Sequence, residues 1–124
     1  MIAADTSSLV AFLEGADGAD VDLIQSGLDD HQLVLPPVVL TELLSDPGLP
    51  ASVRSLLTAL PQLQVEPGYW ERAGLLRAKV IKQRRKARTA DALIAQSCLD
   101  QSVPLITRDR DCRHFARAAG LALM

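Results

Sequence analysis

Residues 2–13 read Ile2-Ala3-Ala4-Asp5-Thr6-Ser7-Ser8-Leu9-Val10-Ala11-Phe12-Leu13. The apolar run Ile2 to Ala4 is too short for a helix and suits a strand. The polar residues behind it break the run, and Thr6 or Ser7 can cap a helix. Leu9, Val10, Phe12 and Leu13 supply that helix with its apolar residues. A strand running directly into a helix is the opening unit of an α/β fold.

The alternation continues along the chain. Gly15 to Gly18 breaks the first helix, and Val21, Ile24 and Leu28 space a second from about Asp20 to Asp30. Leu33 to Leu35 is a strand, and Pro36-Pro37 opens a helix through Leu44. After the break at Asp46 to Pro50 come a helix over Ala51 to Leu60 and a short strand over Leu63 to Val65. Pro67-Gly68 turns the chain into a long helix from Trp70 to Arg85, followed by another from Asp91 to Asp100. Pro104 to Thr107 reads as a buried strand, with a helix near His114 to Ala119 and a terminal strand over Leu121 to Leu123. Strands separated by helices predict an α/β domain around a mostly parallel sheet. The 124 residues suit one domain over 1–124.

Composition narrows the function. No apolar stretch reaches membrane-spanning length, and Ile2 to Val10 is too short and polar for a signal peptide, so a cytoplasmic location is expected. Cys98 and Cys112 form no CxxC pair and read as free thiols. The net charge of −2 conceals a division. Residues 1–71 carry eleven acids against one base, Arg54, whereas residues 72–124 carry twelve bases against four acids. Eight bases fall between Arg72 and Arg88 with no acid among them. Such a block either forms a solvated face or attracts a polyanion.

Four acids stand out. Ligands of parallel sheets gather at the carboxyl ends of the strands, and Asp5 and Asp109 both follow predicted strands. At about 100° per residue, Glu42 falls between Val38 and Val39, and Asp91 falls between Cys98 and Ala95, on apolar sides of their helices. An inward carboxylate needs a donor, a cation or a metal to offset its desolvation. Simpler readings exist for each: Glu42 can snorkel or pair with an arginine, Asp91 and Asp5 can cap helices, and Asp109 can sit in an exposed turn. Taken together, two strand-end and two inward acids would repel one another at a shared site. A divalent cation removes that repulsion, and hard oxygen ligands favour Mg2+ or Mn2+ over zinc.

Four segments carry a resemblance: Ile2-Ala-Ala-Asp-Thr-Ser-Ser, Leu40-Thr-Glu-Leu-Leu, Ala90-Asp-Ala-Leu-Ile-Ala and Leu105-Ile-Thr-Arg-Asp-Arg-Asp. In this order the chain resembles the PIN-domain nucleases, especially the VapC-type toxins of bacterial toxin–antitoxin pairs. The resemblance covers essentially the whole chain. It implies a Rossmann-like three-layer α/β fold with a central, mostly parallel sheet. It implies an Mg2+- or Mn2+-dependent endoribonuclease acting on single-stranded regions of structured RNA, with tRNA and rRNA as candidates. Catalytic positions of the family fall on Asp5, Glu42, Asp91 and Asp109, with Asp111 as a further acid and Thr6 and Thr107 as supporting hydroxyls. A cognate antitoxin and a homodimer are also implied; the lack of a membrane-length apolar run leads to an expectation of no membrane partner. The chain departs from the family after Asp111, where Cys112, Arg113 and His114 precede the aromatic Phe115.

The expected division of labour is metal contact by Asp5, Asp91 and Asp109, with Glu42 binding metal or orienting water. Lys82, Arg84, Arg85, Lys86 and Arg88 precede Asp91 and are expected to hold the RNA backbone. Arg108, Arg110 and Arg113 either extend that surface or pair with Asp109 and Asp111. With aromatics at 3%, RNA selection would rest on shape rather than base stacking. His31 and His114 lack evident catalytic partners, and there is no nucleophile elbow or phosphate-cradling glycine loop. A non-catalytic RNA-binding module is one alternative, disfavoured by the complete acid set. A phosphohydrolase of small phosphoesters is the other; the missing DxDx[TV] motif and the basic run count against it.

Overall fold

A computed structural model describes residues 1–124. Its elements are β1 (Ile2–Ala4), α1 (Thr6–Leu13), α2 (Ala19–Asp29), β2 (Leu33–Val34), α3 (Val39–Leu44), α4 (Ala51–Ala59), α5 (Tyr69–Lys82), α6 (Thr89–Gln101), β3 (Leu105–Ile106) and α7 (Cys112–Ala119). The expected α/β architecture is present. Three parallel strands lie in the order β2-β1-β3, flanked by seven helices.

β1 occupies the centre, pairing Ile2 with Leu33 on one side and Ala4 with Ile106 on the other. Strands covered on both faces need apolar residues at successive positions. Ala3, Ala4, Leu33, Val34, Leu105 and Ile106 are all buried. Helix α2 packs tightly over this sheet at Gly27. A Cβ there would meet Ile2 Cγ2 at 3.3 Å and Leu33 Cβ at 3.4 Å, which explains a glycine inside a helix.

The two outer predicted strands reduce to single bridges. The segment expected as a strand over Leu63 to Val65 forms none, the nearest pairing being a bridge between Gln62 and Leu35, just past β2, and Leu121 to Leu123 meets β3 only through Leu105 and Leu123. Pro61 and the tight turn at Gly120 shorten these edges, since each breaks regular pairing. Helix limits shift for similarly local reasons. Pro36 and Pro37 precede α3 rather than open it, because Val38 turns the chain at φ 71° before Val39 begins the helix. A positive φ is strained for a β-branched residue. Helix α5 ends at Lys82, not Arg85, because Arg84 adopts φ 59°. Helix α7 starts at Cys112 and buries Cys112, Phe115 and Ala118, three residues apart on one face.

Candidate active site

The carboxyl ends of β1 and β3 meet at Asp5 and Thr107. Asp5 is 4% exposed and caps α1, replacing Thr6 and Ser7 in the expected capping role. Its Oδ1 accepts from the Thr6 backbone N–H at 2.8 Å. Its Oδ2 accepts from Ser7 Oγ at 3.0 Å and from Thr107 Oγ1 at 2.8 Å. The Thr107 hydroxyl oxygen also accepts the Asp109 N–H at 3.0 Å. One threonine thus couples the strand-end acid Asp5 to the turn carrying Asp109. That turn is closed by Asp109 Oδ1, which accepts the Asp111 N–H at 2.9 Å.

Asp91 enters from α6. It is the third residue of the helix, behind Thr89 and Ala90, and is not the N-cap, which is Arg88. Its Oδ2 is buried with no hydrogen-bond partner. Burial, then the like charges of Asp109 and Asp5, push its pKa up to about 6, with Asp111 adding and Arg88 opposing. The cluster also acts on the buried Cys112. Its thiol is pushed up to about 12 by burial and by Asp5, Asp91 and Asp109, against a lowering contact from Thr107. Thr107 therefore joins Asp5 to the turn of Asp109 and Asp111, and the charges of these three acids act on Asp91.

Glu42 joins differently. The inward direction expected from helical spacing is incorrect: Glu42 is exposed, because α3 is a single short element whose apolar contacts run through Val39 and Leu43. Its Oε1 accepts from Thr6 Oγ1 at 2.7 Å, which links it to the residue next to Asp5.

The basic residues divide too. Lys82 ends α5, and Arg84, Arg85, Lys86 and Arg88 lie in the connection to α6, all exposed. Lys86 Nζ stands 3.6 Å from Asp111 Oδ2, and the Lys86 carbonyl meets His114 Nδ1 at 3.0 Å. Of the five, only Lys86 makes an ion pair, with Asp111; Lys82, Arg84, Arg85 and Arg88 make none, although the charge of Arg88 opposes the rise at Asp91. Arg108 does not pair with Asp109 or Asp111. It forms a two-pronged pair with Asp20, at 2.7 and 2.9 Å, and Ser8 Oγ donates to the same carboxylate at 2.8 Å. This contact joins α2 to the turn after β3 across 88 residues, and no local pattern announces it. Ser7, absent from the expected site, carries a sequence signal in its place two residues behind a strand-end acid.

As they stand, no group of three or more His, Cys, Asp or Glu side chains is arranged to hold a metal ion. The donor chemistry nevertheless fits a hard dication. Asp5 Oδ1 has accepted one hydrogen bond and keeps acceptor capacity, and the buried Asp91 Oδ2 has no partner. Oxygen donors from clustered carboxylates suit Mg2+ or Mn2+.

A family model described as PIN domain matches residues 2–121. Solved structures share the fold. One, described as FitAB bound to an IR36 DNA fragment, gives a TM-score of 0.73 at 20% identity, covering 100% of this chain and 94% of that one. FitAcB from Neisseria gonorrhoeae gives 0.70 at 19%, covering 100% and 96%. A member of the VapBC family of toxin–antitoxin systems, VapBC-5 from Mycobacterium tuberculosis, gives 0.64 at 20%, covering 99% and 96%. No curated protein matches.

Proposed function

Starting from the fact that this chain belongs to the PIN domain family, we propose that it is a metal-dependent endoribonuclease, the toxin of a toxin–antitoxin pair. The observation that carries this reading is the buried, unpartnered Oδ2 of Asp91 facing the charges of Asp109, Asp5 and Asp111. A carboxylate kept there without a donor is costly unless a cation completes the site. Asp5, Asp91 and Asp109 would hold Mg2+ or Mn2+. When bound, such a dication supplies charge neutralisation and water activation for phosphodiester hydrolysis.

The remaining roles belong to the chain itself. Thr107 and Ser7 orient Asp5 through its Oδ2, and Thr107 holds the Asp109 backbone. Thr6 steers Glu42, whose exposed carboxylate can accept a proton from water at the rim of the site. Lys86, paired with Asp111, and Arg88, the N-cap of the helix that carries Asp91, would receive the RNA backbone, with Lys82, Arg84 and Arg85 extending the cationic surface. A polymeric substrate accounts for this surface better than a small phosphoester does. The fold shared with FitAB and VapBC complexes supports an antitoxin as protein partner, and a homodimer in the cytoplasm completes the proposal. No helix is long and apolar enough to cross a membrane.

The test is to incubate the protein with labelled structured RNA in Mg2+, in Mn2+ and in chelator. Cleavage should require metal and should vanish in Asp5→Asn and in Asp91→Asn while both variants stay folded. Cleavage that persists in chelator, or in both variants, overturns the proposal.

A further inference from the structure

Beside the acidic cluster lies a second feature, a cleft of about 310 Å³. It shares Thr107 and Asp109 with the cluster, so its inner wall is the edge of the candidate active site. Arg110 and Arg113 stand over it, and Leu123 and Met124 form an apolar side. Arg108 also borders the cleft, but its guanidinium is held by Asp20. Arg110 and Arg113 are exposed, and neither is within ion-pair distance of any carboxylate.

Two unpaired guanidinium groups next to a row of acids call for an explanation. Had they served to neutralise Asp109 or Asp111, they would have paired with them, yet Asp111 takes its partner from Lys86 instead. Guanidinium groups present fork-like donors that match phosphate oxygens two at a time. The cleft volume is at the lower end of ligand pockets, roughly 300 Å³ and upward. Leu123 and Met124 offer an apolar surface, and a thioether packs well against an aromatic ring.

We propose that this cleft is a nucleotide subsite for the RNA strand adjoining the scissile phosphate. Arg110 and Arg113 grip the neighbouring phosphate, while Leu123 and Met124 support its sugar and base. The proposal rests on the endoribonuclease reading and deepens it. This subsite borders the acids at Thr107 and Asp109, whereas the Lys82–Arg88 surface meets them at Asp111, 3.6 Å from Lys86 Nζ. The strand would therefore be held from two sets of residues, with the acids at the point they share.

The experiment measures binding in chelator, where no turnover is needed. A labelled ten-nucleotide single-stranded RNA is titrated by fluorescence anisotropy at several salt concentrations. Four proteins are compared: wild type, Arg110→Ala/Arg113→Ala, Arg110→Lys/Arg113→Lys, and the charge-matched control Arg54→Ala/Arg117→Ala. The cleft alanine variant should bind about tenfold more weakly, with a salt slope reduced by about 1 to 2. The lysine variant should fall between it and wild type, and the control should change by less than about twofold. If the cleft variant binds like wild type, or the control loses as much, the subsite is overturned. Retained RNA binding together with lost capture of an acidic protein partner would assign the cleft to that partner and also overturn it. If the wild type cleaves no RNA in any metal but the cleft variant binds RNA more weakly, the nuclease reading fails and takes the scissile phosphate with it, while the phosphate grip of Arg110 and Arg113 on RNA holds. If metal-dependent cleavage holds and the cleft variant binds normally, the reverse follows.

Discussion

Thr107 donates its hydroxyl hydrogen to Asp5 Oδ2 at 2.8 Å across a separation of 102 residues. The bond ties the end of the central strand to the end of its neighbour, and the same oxygen accepts the Asp109 N–H at 3.0 Å. Replacement by valine keeps the shape but removes both functions. Thr107→Val should lose about 1–2 kcal/mol of stability, measured by urea unfolding. It should also reduce RNA cleavage by roughly tenfold or more, because Asp5 and Asp109 lose their shared anchor. Full activity in a folded Thr107→Val protein would show that the bond does not position the site.

Asp91 yields a prediction about pH. Its pKa is raised on folding, from the ordinary 3.8 to about 6. The folded chain thus holds this proton more tightly than the unfolded chain, so ionisation of Asp91 opposes folding. The penalty grows as pH rises past 3.8 and is complete above about 6. In chelator at pH 7.5, Asp91→Asn should be more stable than wild type by on the order of 1–3 kcal/mol. The difference should shrink towards zero near pH 4. Adding Mg2+ or Mn2+ should raise the melting temperature of wild type more than that of the variant. A variant that is less stable than wild type at pH 7.5 in chelator would contradict this account.

Glu42 is exposed and rests on a single hydroxyl contact with Thr6. Glu42→Gln keeps the shape and should change stability by no more than about 0.5 kcal/mol. Its cleavage rate should fall, but less than that of Asp5→Asn or Asp91→Asn, which lose buried groups. Single-turnover rates on one RNA check the ranking. A Glu42→Gln loss as deep as that of Asp91→Asn would move Glu42 into the core of the chemistry.

Asp20 is predicted to act on stability rather than on cleavage. Arg108 holds its carboxyl well below the usual carboxylate range, with Ser8 and the Val21 N–H assisting against the cost of burial. A lowered pKa stabilises the fold above the ordinary 3.8, and that stabilisation is lost as pH falls through the folded value. Asp20→Asn should therefore melt lower than wild type at pH 7, with the gap closing in acid below about pH 3.8. A gap independent of pH would show that packing, rather than the ion pair, is responsible.

Much of the fold follows from short patterns. The apolar trios at Ile2 to Ala4 and Leu33 to Leu35, with helical periodicity between them, predict the alternation that the three parallel strands display. Edges held by isolated bridges, as at Gln62 and Leu123, are hard to read from sequence, because a single bridge leaves little imprint on local periodicity. The exposure of Glu42 is not legible in the same way, since the wheel of a six-residue helix does not say which side another element covers. Asp91 is more legible, because α6 is long and buried at Ala92 and from Ile94 to Cys98.

By itself the sequence determined the order of elements, the split between an acidic first part and a basic second part, and the acids at strand ends. These are properties of neighbouring residues, expressed through backbone geometry and the period of apolar side chains. Only the tertiary structure decided that Asp5 is gripped by Thr107, that Arg108 belongs to Asp20, and that Asp91 is left with a buried oxygen and no donor. The first two outcomes join groups 102 and 88 residues apart, and the third depends on acids brought in from other elements, where desolvation and hydrogen-bond geometry select the partner. Nothing in the local chain encodes that selection.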